Sequence, residues 1–395
     1  MSADMRSIAS RWKVRVRRVG GVAARFLTGV VFCQRAILSL VVVGWSYRLM
    51  QRSAARYWYR ATGGPSKCGS FAEFAQSDSA TKRLATTPRF VFADIGDEMP
   101  VSFGRVRRAV RKLTGSLVKN LRIGLLGFAN TSVLVAPAEV LWFFGWFAGW
   151  HISFNKVYEQ HAIGLTISWL GIAWFIAAML YVPLAQVRQA VTGDWKRFYD
   201  FGLIRTLVAR HRLACLMLAA FYAVGSLPLL IFKFAPYSLG GMGAAMETMS
   251  NAALVARLNQ YFFLTTFVAF PIYVGMRLLA TRIYARALLQ AVADGAVEID
   301  SLATFERDVL RRLGVTQPAD RAMPEPIVRR VPRKAWRAGL VTVTIVLWFA
   351  VVAQVYVSEF FVYRGARGWL NQPLVQLPWF RYVPAHPENS DAATL

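Results

Sequence analysis

Apolar positions in this chain collect into long runs, and polar, often basic, positions collect between them. Five runs reach the roughly 20 residues that a helix needs to cross a hydrocarbon core about 30 Å thick: residues 123–150, 163–185, 213–232, 261–280 and 338–357. The segments between and after them alternate in basic content. Lys plus Arg number 15 in 48–122, 1 in 151–162, 6 in 186–212, 2 in 233–260, 11 in 281–337 and 3 in 358–395. Cytoplasmic loops of membrane proteins are enriched in Lys and Arg. The alternation predicts rich segments inside, poor segments outside and an external C-terminus. The expected fold is all-α: a polytopic transmembrane bundle of five or six spans with amphipathic interfacial helices.

The span count turns on residues 26–47. This run is apolar, but Gln34 and Arg35 sit near its middle, where an Arg costs about 2.5–3.5 kcal/mol on insertion scales. Its two flanks, residues 1–25 with seven Lys/Arg and residues 48–122, are both strongly basic. A crossing would leave one of them outside. The residues therefore predict an interfacial or re-entrant segment with both flanks cytoplasmic; a sixth span with an external N-terminus is the alternative. No small-x-small cleavage site follows the run, so a cleaved signal peptide is not expected.

Between the runs, residues 48–104 read as a polar linker with Gly63-Gly64-Pro65-Ser66 as a turn signal. Residues 105–122 read as a basic amphipathic helix. Val106, Val110, Leu113, Leu117 and Leu121 recur at spacings of three and four, while Arg107, Arg108, Arg111, Lys112 and Lys119 fill the other faces. Such a helix suits the surface of an anionic leaflet. In 281–337, Asp300 or Ser301 is placed to cap a helix with Leu302, Phe305, Val309, Leu310 and Leu313 on one face, ended by Gly314.

The segment 189–201 runs Gln-Ala-Val-Thr-Gly193-Asp194-Trp195-Lys-Arg-Phe-Tyr-Asp200-Phe201 and leads through Arg205 to Arg212 and the next run. Asp194 is placed to cap a helix start. A small-residue turn before an aromatic-Asp-Phe cluster at the entry to a span resembles a stretch of polytopic prokaryotic integral membrane families of unknown function. The likeness covers about 25 residues, close to 187–212. It implies a bacterial multi-span fold in the inner membrane and no activity.

Composition changes little in this picture. Hydrophobic residues are 56% of the chain and charged residues 17%, against roughly 25% charged in soluble domains. The net charge of +26 would suit nucleic acid, but it flanks the apolar runs, where topology and anionic headgroups account for it. The expected partners are the anionic bilayer and another membrane protein, not nucleic acid. Cys33, Cys68 and Cys215 make no disulfide or CxxC pattern.

Polar groups within spans are the first place to seek function. Glu139 lies eleven residues before Trp150, about 16 Å along a helix, and Pro137 frees a carbonyl beside it. It reads either as a structural, hydrogen-bonded carboxyl or as a carrier of a proton or cation. Asn130, about 180° around the helix from Glu139, is expected to bond a neighbouring helix. Arg35 is a further polar candidate, and Arg277 reads as snorkelling to the interface. Trp142, Trp146 and Trp150 read as an interfacial belt, and Gly145 with Gly149 as a small-xxx-small packing pair. The aromatic, Pro-containing tail around Trp369–Tyr382 is expected to rest at the outer interface. His151 and His161 are ten residues apart with nothing to bring them together, so no metal is expected, nor any cofactor. There is no GxSxG, HExxH, Walker loop or paired intramembrane aspartate. The residues point away from an enzyme and towards a scaffold or accessory subunit, with small-solute or proton-coupled transport through Glu139 as the alternative.

Overall fold

In the computed structural model the structure describes residues 19–94, 105–145, 161–238, 249–315, 335–336, 338–348 and 374–381, and these form helices and turns without a strand. In chain order the helices are α1 (Val19–Phe32), α2 (Ala36–Ala61), α3 (Gly64–Cys68), α4 (Phe71–Gln76), α5 (Arg105–Phe144), α6 (His161–Thr192), α7 (Phe201–Arg210), α8 (Arg212–Ser238), α9 (Asn251–Ala293), α10 (Thr304–Arg312) and α11 (Ala338–Trp348). Four stretches are long and apolar enough to cross a membrane: Ala109–Leu141, Thr166–Thr192, Arg212–Leu229 and Ala252–Ala293. They coincide with the first four apolar runs. The fifth run is described only over α11, and 349–357 lies outside the described residues.

The outer faces of these helices are apolar. Val133, Trp169, Leu170, Phe221, Val224, Leu264 and Val268 are all exposed. A soluble helix turns such residues inward, whereas a helix whose solvent is hydrocarbon has no reason to. The buried faces are assembled by small residues and hydrogen bonds. α2 lies against α5 at Gly44 and Gly124: a Cβ on Gly44 would overlap the Asn120 carbonyl oxygen, and one on Gly124 that of Leu40. α5 pairs with α6, where Trp174 Nε1 donates to the Leu134 carbonyl at 2.9 Å and Gly145 packs on Gly164 and Ser168. Gly149 lies outside the described residues. α9 meets α2 through Trp58 Nε1, which donates to the Ala285 carbonyl at 2.9 Å.

One expectation, the linker over 48–104, is corrected here, and two others gain detail. Residues 26–47 do not form one helix. The backbone breaks at Cys33–Arg35, where Gln34 Nε2 donates to Thr266 Oγ1 at 2.8 Å. α1 folds back along α2, so that Phe26 meets the Phe270 ring edge-to-face, Trp45 stacks on the same ring, and Arg25 lies within electrostatic reach of Arg52. Residues 48–104 are not a loop throughout, because α2 continues to Ala61 and α3, α4 and a 3₁₀ turn at Lys82–Leu84 follow. Arg48, Arg52, Arg56 and Arg60 recur every four residues on one side of α2, while Trp58 and Tyr59 bury another. These charges are the polar face of a helix inside the stretch that the Gly-Gly-Pro-Ser turn signal and missing period marked as a linker. The segment 105–122 is helical as expected, but as the unbroken first part of α5.

The basic segments between the apolar runs meet one another. Arg188 of α6, 1% exposed, pairs with Glu306 of α10 and lies 3.0 Å from Asp200, and Tyr284 Oη of α9 donates to Glu306 Oε1 at 2.6 Å. Arg312 ties α10 to the α4 region: it lies 3.0 Å from Asp78, donates to the Phe74 carbonyl at 2.8 Å and covers the Phe74 ring. Arg210 pairs with Asp294 at 2.6 Å. Local caps agree with their sequence signals. Asp194 caps the 3₁₀ turn Trp195–Tyr199, Asp200 caps α7, and Ser70 with Glu73 forms a capping box on α4. α10 starts later than expected, after Ala303, and Gly314 at φ +73° closes it.

Candidate functional site

Where α2, the first half of α5 and the end of α6 converge, they enclose a cavity of about 990 Å³. Its walls carry Arg48, Arg52, Arg83, Arg111, Lys119 and Arg122, against a single carboxylate, Asp194. Val110, Val118 and Leu126 are exposed beside these cations. Each wall is placed by the local structure. Arg48 pairs with Asp94 and donates to Asn120 Oδ1 at 2.8 Å, and Lys119 lies 3.9 Å from Asp94. Asn120 Nδ2 in turn holds the carbonyls of Arg89 and Phe90 at 2.9 and 3.0 Å, which fixes the segment 88–94 along α5. Arg52 donates through Nε to the Leu84 carbonyl at 2.9 Å. Burial, and then Arg56 and Arg25, pull the Arg52 guanidinium below its usual value. It stays charged, as Arg does in proteins. Burial is the larger cause of the depression; the two neighbouring guanidinia add positive charge that an anion would offset.

Of the predicted surface cations, Arg111 and Lys119 line this cavity and Lys112 is exposed beside it. The side chains of Arg107, Arg108 and Trp142 lie outside the description, as do Trp146 and Trp150 altogether. Arg48, Arg52, Arg83 and Arg122 were missed. For Arg48 and Arg52 the four-residue spacing along α2 was the available signal, hidden by the assignment of that stretch to a linker; Arg83, in the 3₁₀ turn, and Arg122, on α5, carry no such signal.

The intramembrane candidates occupy a different place. Asn130 Nδ2 donates to Gln189 Oε1 at 3.2 Å and to the Trp195 carbonyl at 2.9 Å, and Tyr199 Oη donates to Asn130 Oδ1 at 3.3 Å. It is the interhelical bond expected of it. Glu139 is buried and accepts one bond, from Gln376 Nε2 at 3.1 Å. Arg35 is exposed at the break before α2. Arg277 does not snorkel. It is 1% exposed, its Nη2 donates to the Val375 carbonyl at 2.8 Å, and its guanidinium sits over Tyr273 at 5.0 Å and Tyr47 at 5.9 Å.

Residues 374–381 explain why. Leu374, Val375 and Gln376 are at most 1% exposed, so the tail enters the bundle instead of resting on it. The Val375 carbonyl accepts from both Arg277 Nη2 and Gln186 Nε2, each at 2.8 Å, and Ser39 Oγ donates to the Pro378 carbonyl at 3.2 Å. A backbone carbonyl from another part of the chain supplied the partner that made snorkelling unnecessary. Among the described residues no group of three or more His, Cys, Asp and Glu side chains comes together. Compared with family models, with curated proteins and with solved structures, the chain matches none.

Proposed function

We propose that this chain is a non-catalytic membrane scaffold or accessory subunit that binds the phosphate headgroups of anionic lipids in its basic cavity. The single observation that carries this reading is the composition of the cavity wall: six cationic side chains against Asp194 and the buried Asp94 that Arg48 and Lys119 share, with Val110, Val118 and Leu126 exposed beside them. A phosphate seeks the first and an acyl chain the last, so an anionic amphiphile suits both. Each Lys or Arg near an anionic surface contributes about 1 kcal/mol. The membrane is a bacterial inner membrane in this reading, crossed by the four long helices and by a fifth that begins at α11, with the basic segments cytoplasmic and the C-terminus outside. The fold-back of α1 on α2 supports a re-entrant hairpin, because Arg25 of one arm lies within electrostatic reach of Arg52 of the other.

Purified protein in neutral phosphatidylcholine nanodiscs, compared with discs containing phosphatidylglycerol, tests the binding. Anionic lipid is expected to raise the unfolding temperature, more so at low salt. The combined substitution Arg52→Gln, Arg111→Gln and Arg122→Gln should remove most of that gain. Equal stabilisation of native and substituted protein would contradict the site. A second reading, passage of a proton or small solute past Glu139, draws on the fact that among the described residues this buried carboxyl has one hydrogen-bond partner, Gln376 of the inserted tail. A flux assay comparing native protein with Glu139→Gln decides it.

A further inference from the structure

We propose that Arg277, with the hydroxyl of Tyr222, holds one small monovalent anion of halide size inside the bundle. The argument begins with charge. Arg277 is 1% exposed and remains a cation at any physiological pH. No described carboxylate lies within ion-pair distance of it, and the groups that act on it electrostatically are Tyr273, Tyr222 and Tyr47. A buried charge without a counter-charge is strongly destabilising. The Val375 carbonyl, a side-chain hydrogen bond with Tyr273 and two ring faces offset part of this and leave the unit charge in place.

The hydrogen-bond inventory points the same way. Arg277 Nε and Nη1 are buried without an acceptor, and Tyr222 Oη is buried without a partner. Tyr222 is 1% exposed and comes from α8, while Arg277 comes from α9, so the unsatisfied groups converge from two helices. Several unused donors around one unpaired cation are what a dehydrated anion needs. A neutral water would satisfy the donors and leave the charge. Tyr47, Tyr222, Tyr273, Leu374 and Val375 are each at most 1% exposed, and a setting so closed to solvent suits a small ion and not a sugar or nucleotide phosphate. The site is separate from the basic cavity and does not depend on lipid binding there.

The test uses full-length protein in neutral phosphatidylcholine nanodiscs, with radiolabelled chloride and sodium gluconate as the balancing salt. Saturable binding of one chloride per protein, displaced by bromide and not by gluconate, is expected. Arg277→Gln should abolish it, and Arg122→Gln, which alters the basic cavity, should leave it unchanged. Should Arg277→Gln fail to fold, Tyr222→Phe removes one donor at nearly constant volume and is expected to weaken chloride binding roughly fivefold, about what one hydrogen bond contributes. Folded native protein that shows no saturable chloride binding overturns the assignment. So does binding that survives Arg277→Gln, or an affinity unchanged in Tyr222→Phe.

Discussion

Gly44 and Gly124 let the backbones of α2 and α5 touch, and each is confined by a carbonyl that cannot move without moving its helix. Gly44→Ala and Gly124→Ala are each expected to lower stability by about 1–3 kcal/mol, the usual cost of overpacking. Gly275→Ala, where a new Cβ meets nothing within 4 Å, should instead be neutral or stabilising by about 0.5–1 kcal/mol. Thermal unfolding in one detergent separates the two signs. His211 offers a pH test. Burial first, then Arg286 and Arg210, lower its pKa from the usual 6.5. The folded state therefore holds His211 neutral at a pH where the unfolded chain takes up a proton. This group costs no stability above about pH 6.5 and an increasing amount as pH falls below it. His211→Gln should flatten the acid side of the stability profile, and an unchanged slope would count against the assigned environment. At this scale the sequence was informative about chemistry and poor on neighbours. Asn130 could be expected to bond across helices because an amide in hydrocarbon must, but that Arg277 would bond Val375, 98 residues away, leaves no local trace.

The helices were legible where hydrophobicity has one solvent to answer to. Four apolar runs became four long helices, and the basic stretch 105–122 became the first turns of α5. What misled was polarity at the basic end of the molecule. α2 beyond Tyr47 falls into the linker with the Gly63-Gly64-Pro65-Ser66 turn that follows it, whereas the four-residue spacing of its arginines is a helical face. The tail failed for a related reason: Leu374, Val375 and Leu377 flank Pro378 in a stretch too short for any period, and its burial depends on carbonyl acceptors that every sequence possesses. α10 depends on a partner in the same way. Glu306 fits the dipole of its own helix, but in the structure it is fully buried against Arg188. Removing one member of a buried pair usually costs about 3–5 kcal/mol. Asp200 still faces Arg188, so Glu306→Gln should fall at or below that range. Hydrogen exchange over Thr304–Arg312 should rise sharply in this variant while α5 and α6 stay protected. Equal protection of α10 in both proteins would show that the ion pair does not hold it.

The whole molecule is an apolar bundle with its positive charge gathered by contacts among segments distant in sequence. Arg188 joins α6 to α10, Arg312 joins α10 to the α4 region, and Arg48 joins α2 to the segment beside α5. A single cysteine at Ser2, in a background lacking Cys33, Cys68 and Cys215, tests the hairpin arrangement of α1 and α2. Labelling only after the cells are opened is expected, and labelling of intact cells would make residues 26–47 a crossing. The basic cavity carries the functional reading, and native mass spectrometry addresses it most directly. Protein extracted gently from its membrane should retain one or two anionic phospholipids, and the Arg52→Gln, Arg111→Gln, Arg122→Gln protein should lose them while keeping its neutral lipids. Equal retention of anionic lipid by both proteins would contradict a headgroup site between α2, α5 and α6.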